Sequence, residues 1–171
     1  MMLNRKQSSL PLFTLLLTLS LSGVSHAQNE THPVPQNVTD MKFVPFPGMP
    51  ACTSGSVQSG DPSKGPSIIL AKAATGCTIP WHWHTPNENL MMITGVARAE
   101  MKDGKAVTLR AGAFALMPAK HVHRFTCTRT CMLYIYSDAA FDIHYVDGQG
   151  KEISPDDALK SAKPAPAKAP K

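Results

Sequence analysis

Two histidines one residue apart, each preceded by a tryptophan, occupy positions 82 and 84 in the stretch GCTIPWHWHTPNENLMMITG (residues 76–95), and a glutamate follows at 88. Imidazole nitrogen and carboxylate oxygen are the donors that a divalent first-row transition ion accepts. Residues i and i+2 of a strand share a face, so His82 and His84 point one way and Trp81 and Trp83 the other. Thr85-Pro86-Asn87 reads as a turn, and Glu88 opens the next strand. Two imidazoles and a carboxylate are thereby expected to converge from adjacent strands. Further on, PAKHVHRF supplies His121 and His123, again expected on one face of a strand. Three nitrogens and one oxygen suit Fe, Mn, Ni, Zn or Cu and leave positions open for water or substrate. A lone His-x-His on a strand is more often surface or satisfied core, so the spacing to the other donors carries the reading.

That spacing resembles the cupin superfamily. The family's first motif, G-x5-H-x-H-x3-4-E-x6-G, is met at every position by Gly76, His82, His84, Glu88 and Gly95. Its second motif, G-x5-P-x-G-x2-H-x3-N, is met by Gly112, Pro118 and His123, while Lys120 stands where the family has Gly and Cys127 where it has Asn. The first departure bears on the turn before His123; the second touches no ligand. The resemblance covers about residues 65–147. It implies a single double-stranded β-helix, a jelly-roll barrel, with one divalent transition metal inside one end held by His82, His84, Glu88 and His123. The tryptophans then cover the outside, under a second sheet or a partner subunit, and a homodimer is one expectation. His121 would sit near the barrel mouth. It is the general-base candidate outside the ligands, weighed against a partly exposed structural histidine.

The elements that must position these donors read as all-β. From residue 67 onward, SIILAKA, CTIPWHW, NLMMIT, VARAEM, AVTL, AFALM, VHRFTC, CMLYIYS and FDIHYV are strand-sized apolar or alternating runs, which predicts nine or ten short strands. Asp103-Gly104 marks a hairpin. Met91, Met92, Met101 and Met117 are expected as core filler, Arg124 as outward by alternation, His144 as structural, and Tyr134 and Tyr136 as sharing one face, inward or outward. A short helical turn is expected over residues 155–160. Residues 28–64, rich in Pro, Gly and Ser, predict an irregular N-terminal wrap with a short strand at 42–46. The barrel domain is expected at 65–158. Residues 159–171, which close in SAKPAPAKAPK, are a Lys/Pro/Ala tail too apolar-poor to pack, expected to be disordered.

Residues 1–27 have the form of a secretory signal: Arg5 and Lys6, an apolar run over 10–21, then Ser25-His26-Ala27. Cleavage after about Ala27 predicts a periplasmic or secreted protein that is not an integral membrane protein. The formal charge of +5 is misleading, because Arg5 and Lys6 leave with the signal and four lysines lie in the last twelve residues. Residues 28–159 then hold 11 basic against 12 acidic side chains. Near-neutrality and export both argue against a nucleic-acid partner, and none is expected. In an oxidising compartment Cys52, Cys77, Cys127 and Cys131 can form disulfides. Three pairings are open; Cys127 with Cys131 across a tight hairpin, and Cys52 with Cys77, is one. The function expected is a metal-dependent enzyme, of dioxygenase or isomerase type, acting on a small organic molecule. The alternative is a non-catalytic cupin that binds or senses a metal or small ligand.

Overall fold

The computed structural model describes residues 35–161. The signal expected at 1–27 and residues 162–171 of the expected tail lie outside the described residues. Eight strands follow one another: β1 (Thr53–Gly60), β2 (Ser67–Ala73), β3 (Thr78–Trp83), β4 (Glu88–Met101), β5 (Val107–Arg110), β6 (Phe114–Met117), β7 (His123–Ser137) and β8 (His144–Tyr145). One helix, α1 (Pro155–Ser161), closes the described chain. Ser154 caps it, accepting from the Asp157 amide at 3.2 Å, with Pro155 in the first helical position. Among the described residues no helix is long and apolar enough to cross a membrane.

Two long strands organise the fold, and they account for the difference from the strand count expected. NLMMIT and VARAEM form one strand, β4, and VHRFTC and CMLYIYS form one strand, β7. β4 and β7 pair antiparallel from Glu88↔Ser137 to Met101↔His123, with register shifts between Met92 and Ala97. At that break the ribbon changes partners. On one side of it the first half of β4 pairs with β6, and the second half of β7 pairs with β2, which carries β1. On the other side the second half of β4 pairs with β5, and the first half of β7 pairs with β3, which carries β8. Two five-stranded layers therefore share one bent ribbon and face each other across a lumen. This is the double-stranded β-helix, and all its strand pairs are antiparallel.

The bend has a local cause. Gly95 lies at φ +88°, and a Cβ there would come within 2.1 Å of the Thr130 carbonyl oxygen. Only glycine gives both the left-handed backbone and that close approach. Opposite it, the Cys127–Cys131 disulfide joins Cα atoms 5.8 Å apart. Four residues of straight strand would span about 13 Å, so residues 128–130 are thrown out of line as a bulge within β7. The tight hairpin expected between these cysteines is thus a bend inside one strand. The second disulfide is Cys52–Cys77.

The facing sides of the two layers make the core: Leu90, Met92, Ala97, Leu109, Met117, Phe125 and Leu133 are buried. Each such leucine, methionine or phenylalanine contributes about 1.5–3 kcal/mol by leaving water. Met91 faces outward and is exposed, because β4 alternates and only Met92 of the pair can point in. Tyr134 and Tyr136 take the outward parity of β7.

Of the wrap expected at 28–64, residues 28–34 lie outside the described residues and the later part is corrected. TSGSVQSG lacks apolar alternation, yet it forms β1 along the free edge of β2, so backbone pairing overrides composition. The expected strand at 42–46 reduces to one bridge, Val44↔Gly55.

Candidate metal centre

The four donors come from both layers. His82 is the last but one residue of β3 and the register partner of His123, which opens β7. His84 follows just past the end of β3. Thr85-Pro86-Asn87 then carries the chain across to the other layer, where Glu88 opens β4 beside Met117 and Ser137. Adjacent strands were expected; instead β3 and the first half of β4 lie in facing layers. The carboxylate approaches the imidazoles across the lumen. Asn87 fixes this crossing: its side chain and backbone donate to the Asp138 carboxylate at 2.6 and 3.0 Å, and its side-chain oxygen accepts from the Ala119 amide at 3.0 Å.

His82, His84 and His123 are buried, and their donor nitrogens lie within 4.8 Å of one another. The Glu88 Oε2 is 3.6 Å from His84 Nε2 and 3.4 Å from His123 Nε2. The second nitrogens decide how the rings are turned. His82 Nδ1 meets the Pro80 carbonyl at 2.6 Å, His123 Nδ1 meets the His121 carbonyl at 2.8 Å, and His84 Nδ1 meets the Asp142 carbonyl. A carbonyl can only accept, so each Nδ1 carries a proton and each ring turns its Nε2 inward. The Nε2 atoms of His84 and His123 are fully buried without a hydrogen-bond partner. Leaving such acceptors unpaired costs about 1–3 kcal/mol each, and a cation between them and the carboxylate would satisfy both. The donor set fits a metal ion.

Protonation agrees with this. Burial pulls the His82 imidazole well below the usual histidine range, with His123 and His84 adding to it. Burial also lowers His84, outweighing the pull of Glu88 the other way. Burial pushes the Glu88 carboxyl up, but the facing His84 and His123 outweigh it and the net shift is downward. Burial thus favours the neutral, ligating form of His82 and His84.

His121 is not part of this group. It lies outside β7, in a turn where its amide donates to the Pro118 carbonyl at 3.0 Å. Its ring does not line the lumen. What it gives the site is its backbone carbonyl, under His123. The turn is held by Lys120 at φ +60°, the one non-glycine residue with positive φ among those described.

Asp142 and Phe141 were not visible as site residues in the sequence. The Asp142 carbonyl turns His84, its carboxylate accepts from the Thr85 amide at 2.7 Å, and Phe141 stacks on His84 at 4.4 Å. A backbone acceptor leaves no trace in residue type. The expected strand FDIHYV shrinks to β8 because 141–143 are spent on this contact. The outward tryptophans are covered from within the chain: Arg124 sits over Trp81 at 4.7 Å, and His144 stacks on Trp83 at 3.8 Å.

The cluster opens on a cavity of about 350 Å³ between the two layers. Its walls are Ile69, Ile79, Leu90, Phe125, Leu133 and Ile135, with Phe46 and Phe141 also lining it.

A family model described as a cupin domain matches residues 70–136, from β2 to the end of β7. Among solved structures, an RmlC-like cupin protein from Ralstonia eutropha JMP134 is similar at 20% identity over 77% of this chain and 88% of that one, with a TM-score of 0.57. The polyketide cyclase RemF from Streptomyces resistomycificus is similar at 15% identity over 68% and 87%, with a TM-score of 0.59. A structure of the DMSP lyases RdDddP and RnDddQII is similar at 19% identity and a TM-score of 0.50; the match takes in 56% of this chain but only about half, 53%, of that one. At these identities the likeness is one of fold. No curated protein matches the chain in sequence.

Proposed function

We propose, from the premise that this chain is a cupin-superfamily protein, that His82, His84, Glu88 and His123 hold one divalent first-row transition ion facing the lumen. On this reading the protein is an exported metal-dependent enzyme, of dioxygenase or isomerase type, acting on a small organic molecule. The observation that carries the reading is the common orientation of the three rings, each pinned through Nδ1 to a backbone carbonyl, with two Nε2 atoms orphaned beside the Glu88 carboxylate. Such an ion supplies a Lewis acid and open positions for an oxygen donor. The carbonyls of Pro80, His121 and Asp142 keep the ring protons on the outer nitrogens. Glu88 neutralises one positive charge and is the carboxylate at hand for moving a proton to or from a bound molecule. The apolar walls exclude water. Two disulfides suit an oxidising compartment and support export.

The second reading, a non-catalytic metal- or ligand-binding cupin, is favoured by one observation: away from the cluster, the lumen walls offer no further imidazole to act as a base. The fold alone does not choose between them.

The test is elemental analysis of protein exported under its own leader and purified without chelator. About one ion per chain is expected in the wild type, and none in His82→Ala or Glu88→Ala at unchanged circular dichroism. Metal retained by both variants refutes the ligand assignment. Iron, manganese or copper directs the assay to oxygen uptake, zinc or nickel to isomerisation or to binding alone.

A further inference from the structure

The geometry points to a ligand class: we propose that the site takes a small apolar monocarboxylate, head toward the four donors and body in the lumen, with Phe46 closing on its far end. The head-group half rests on the metal reading above; the body half rests on the walls alone. Those walls are aliphatic and aromatic from both layers, through Ile69, Leu90, Leu133 and Ile135 on one and Ile79 and Phe125 on the other.

The polar side chains that also border the cavity are engaged elsewhere. Thr53 donates its hydroxyl to the Pro50 carbonyl at 2.7 Å, and Ser63 donates to Asp61 at 2.7 Å. The Lys72 ammonium lies 3.5 Å over the Phe43 ring, and Asp142 accepts from Thr85. Ser54 is left with its hydroxyl. A sugar or polyol brought into this lumen would lose hydrogen bonds to water with nothing to replace them, whereas a hydrocarbon body loses none. A divalent ion with one ionised Glu88 leaves a single positive charge at the head of the cavity, and the opposite charges of Lys72 and Asp142 at its border cancel, so one carboxylate balances the site and two would exceed it. The cavity lies at the low end of the range for small-molecule sites, about 300–1000 Å³.

Phe46 belongs to this site although it lies well outside the family match. Its ring occupies the space a Gly55 side chain would fill, since a Cβ there would stand 2.3 Å from the ring edge. The Tyr145 hydroxyl donates to the Gly48 carbonyl at 2.9 Å and pins the same segment. Residues 46–49 are thus a fixed wall, with Phe46 and Met49 turned to the cavity.

The test is calorimetric titration of the full chain, loaded with Mn2+ and its metal content measured first, with acetate, butyrate, hexanoate, succinate and gluconate. Affinity is expected to rise about fourfold per added methylene from acetate to hexanoate. Succinate and gluconate are expected to bind about tenfold or more below hexanoate. Phe46→Ala is expected to keep its metal and its acetate affinity while losing much of the gain for hexanoate. Full metal loading with hexanoate no tighter than acetate, or with gluconate tighter than hexanoate, overturns the ligand class and leaves the metal reading standing. Failure to take up Mn2+ or any other divalent ion overturns the metal reading, and the head-group assignment with it.

Discussion

Lys120→Gly should stabilise the protein, and the expected size follows from one backbone angle. Lys120 sits at φ +60°, where a side chain with a Cβ costs about 1–2 kcal/mol and glycine costs nothing. The gain is partly offset, because glycine frees the unfolded chain by about 0.4–1 kcal/mol. The net expectation is a stabilisation of about 0.5–1 kcal/mol, or a rise in Tm of roughly 2–4 °C for a domain of this size. The turn itself should not move. The Lys120 amide donates to the His84 carbonyl at 2.7 Å, and the His121 amide donates to Pro118 at 3.0 Å. Glycine keeps the first bond and leaves the second untouched. The assay is thermal and urea unfolding of wild type, Lys120→Gly and Lys120→Val, with metal content measured in each. Valine, β-branched and poorly suited to positive φ, should be the least stable of the three. A Lys120→Gly protein less stable than wild type, or a Lys120→Val protein equal to it, refutes the reasoning, because the angle would then not be what the side chain contends with.

Further outcomes follow from the same structure. The Cys52–Cys77 bridge closes 25 residues and Cys127–Cys131 only four, so loop entropy assigns about 3.5 and 2 kcal/mol to them. Replacing the first pair by serine should therefore cost more in urea unfolding, and equal or reversed costs would contradict that account. His144 offers a pH signature: burial pulls its imidazole down, but Glu152 at 2.8 Å and Asp142 at 3.2 Å outweigh it and raise the pKa. A raised folded-state pKa means the stabilisation is full below the unfolded value of about 6.5 and is lost as pH rises through the folded value. The Tm gap between wild type and His144→Gln should thus be widest below about pH 6.5 and close as pH rises through the raised folded-state value; a gap that widens with pH would show the imidazole acts there neutral. Phe125→Ala, which empties a core position beside the lumen, should cost about 3–5 kcal/mol.

Much of the site could be read before any coordinates. His82 and His84 share a face because strand parity is local, and Glu88 follows a turn that three residues announce. His123 kept its register even where Lys120 replaced glycine. The errors have a common origin. NLMMIT and VARAEM, and the two halves of β7, read as separate strands because Gly95 and the Cys-bracketed Thr-Arg-Thr look like ends. They are bends, and nothing local distinguishes a strand that stops from one that changes partners. His121 failed for a related reason: Lys120 breaks the extended backbone, so the parity counted back from His123 did not reach it. TSGSVQSG was missed as β1 because an edge strand held by its neighbour's backbone needs no apolar pattern.

The sequence by itself determined which donors exist, which of them share a face, and that the chain is an all-β structure. Each of these is a matter of residue type and of spacing within a few positions. Only the tertiary structure decided that Glu88 meets the histidines from the opposite layer and that the Asp142 carbonyl turns His84. It also decided that Phe46, far from the motifs, walls the lumen. Those facts depend on pairings between distant segments and on backbone atoms that every residue carries alike. They are therefore set by how the two layers close, not by any stretch read alone.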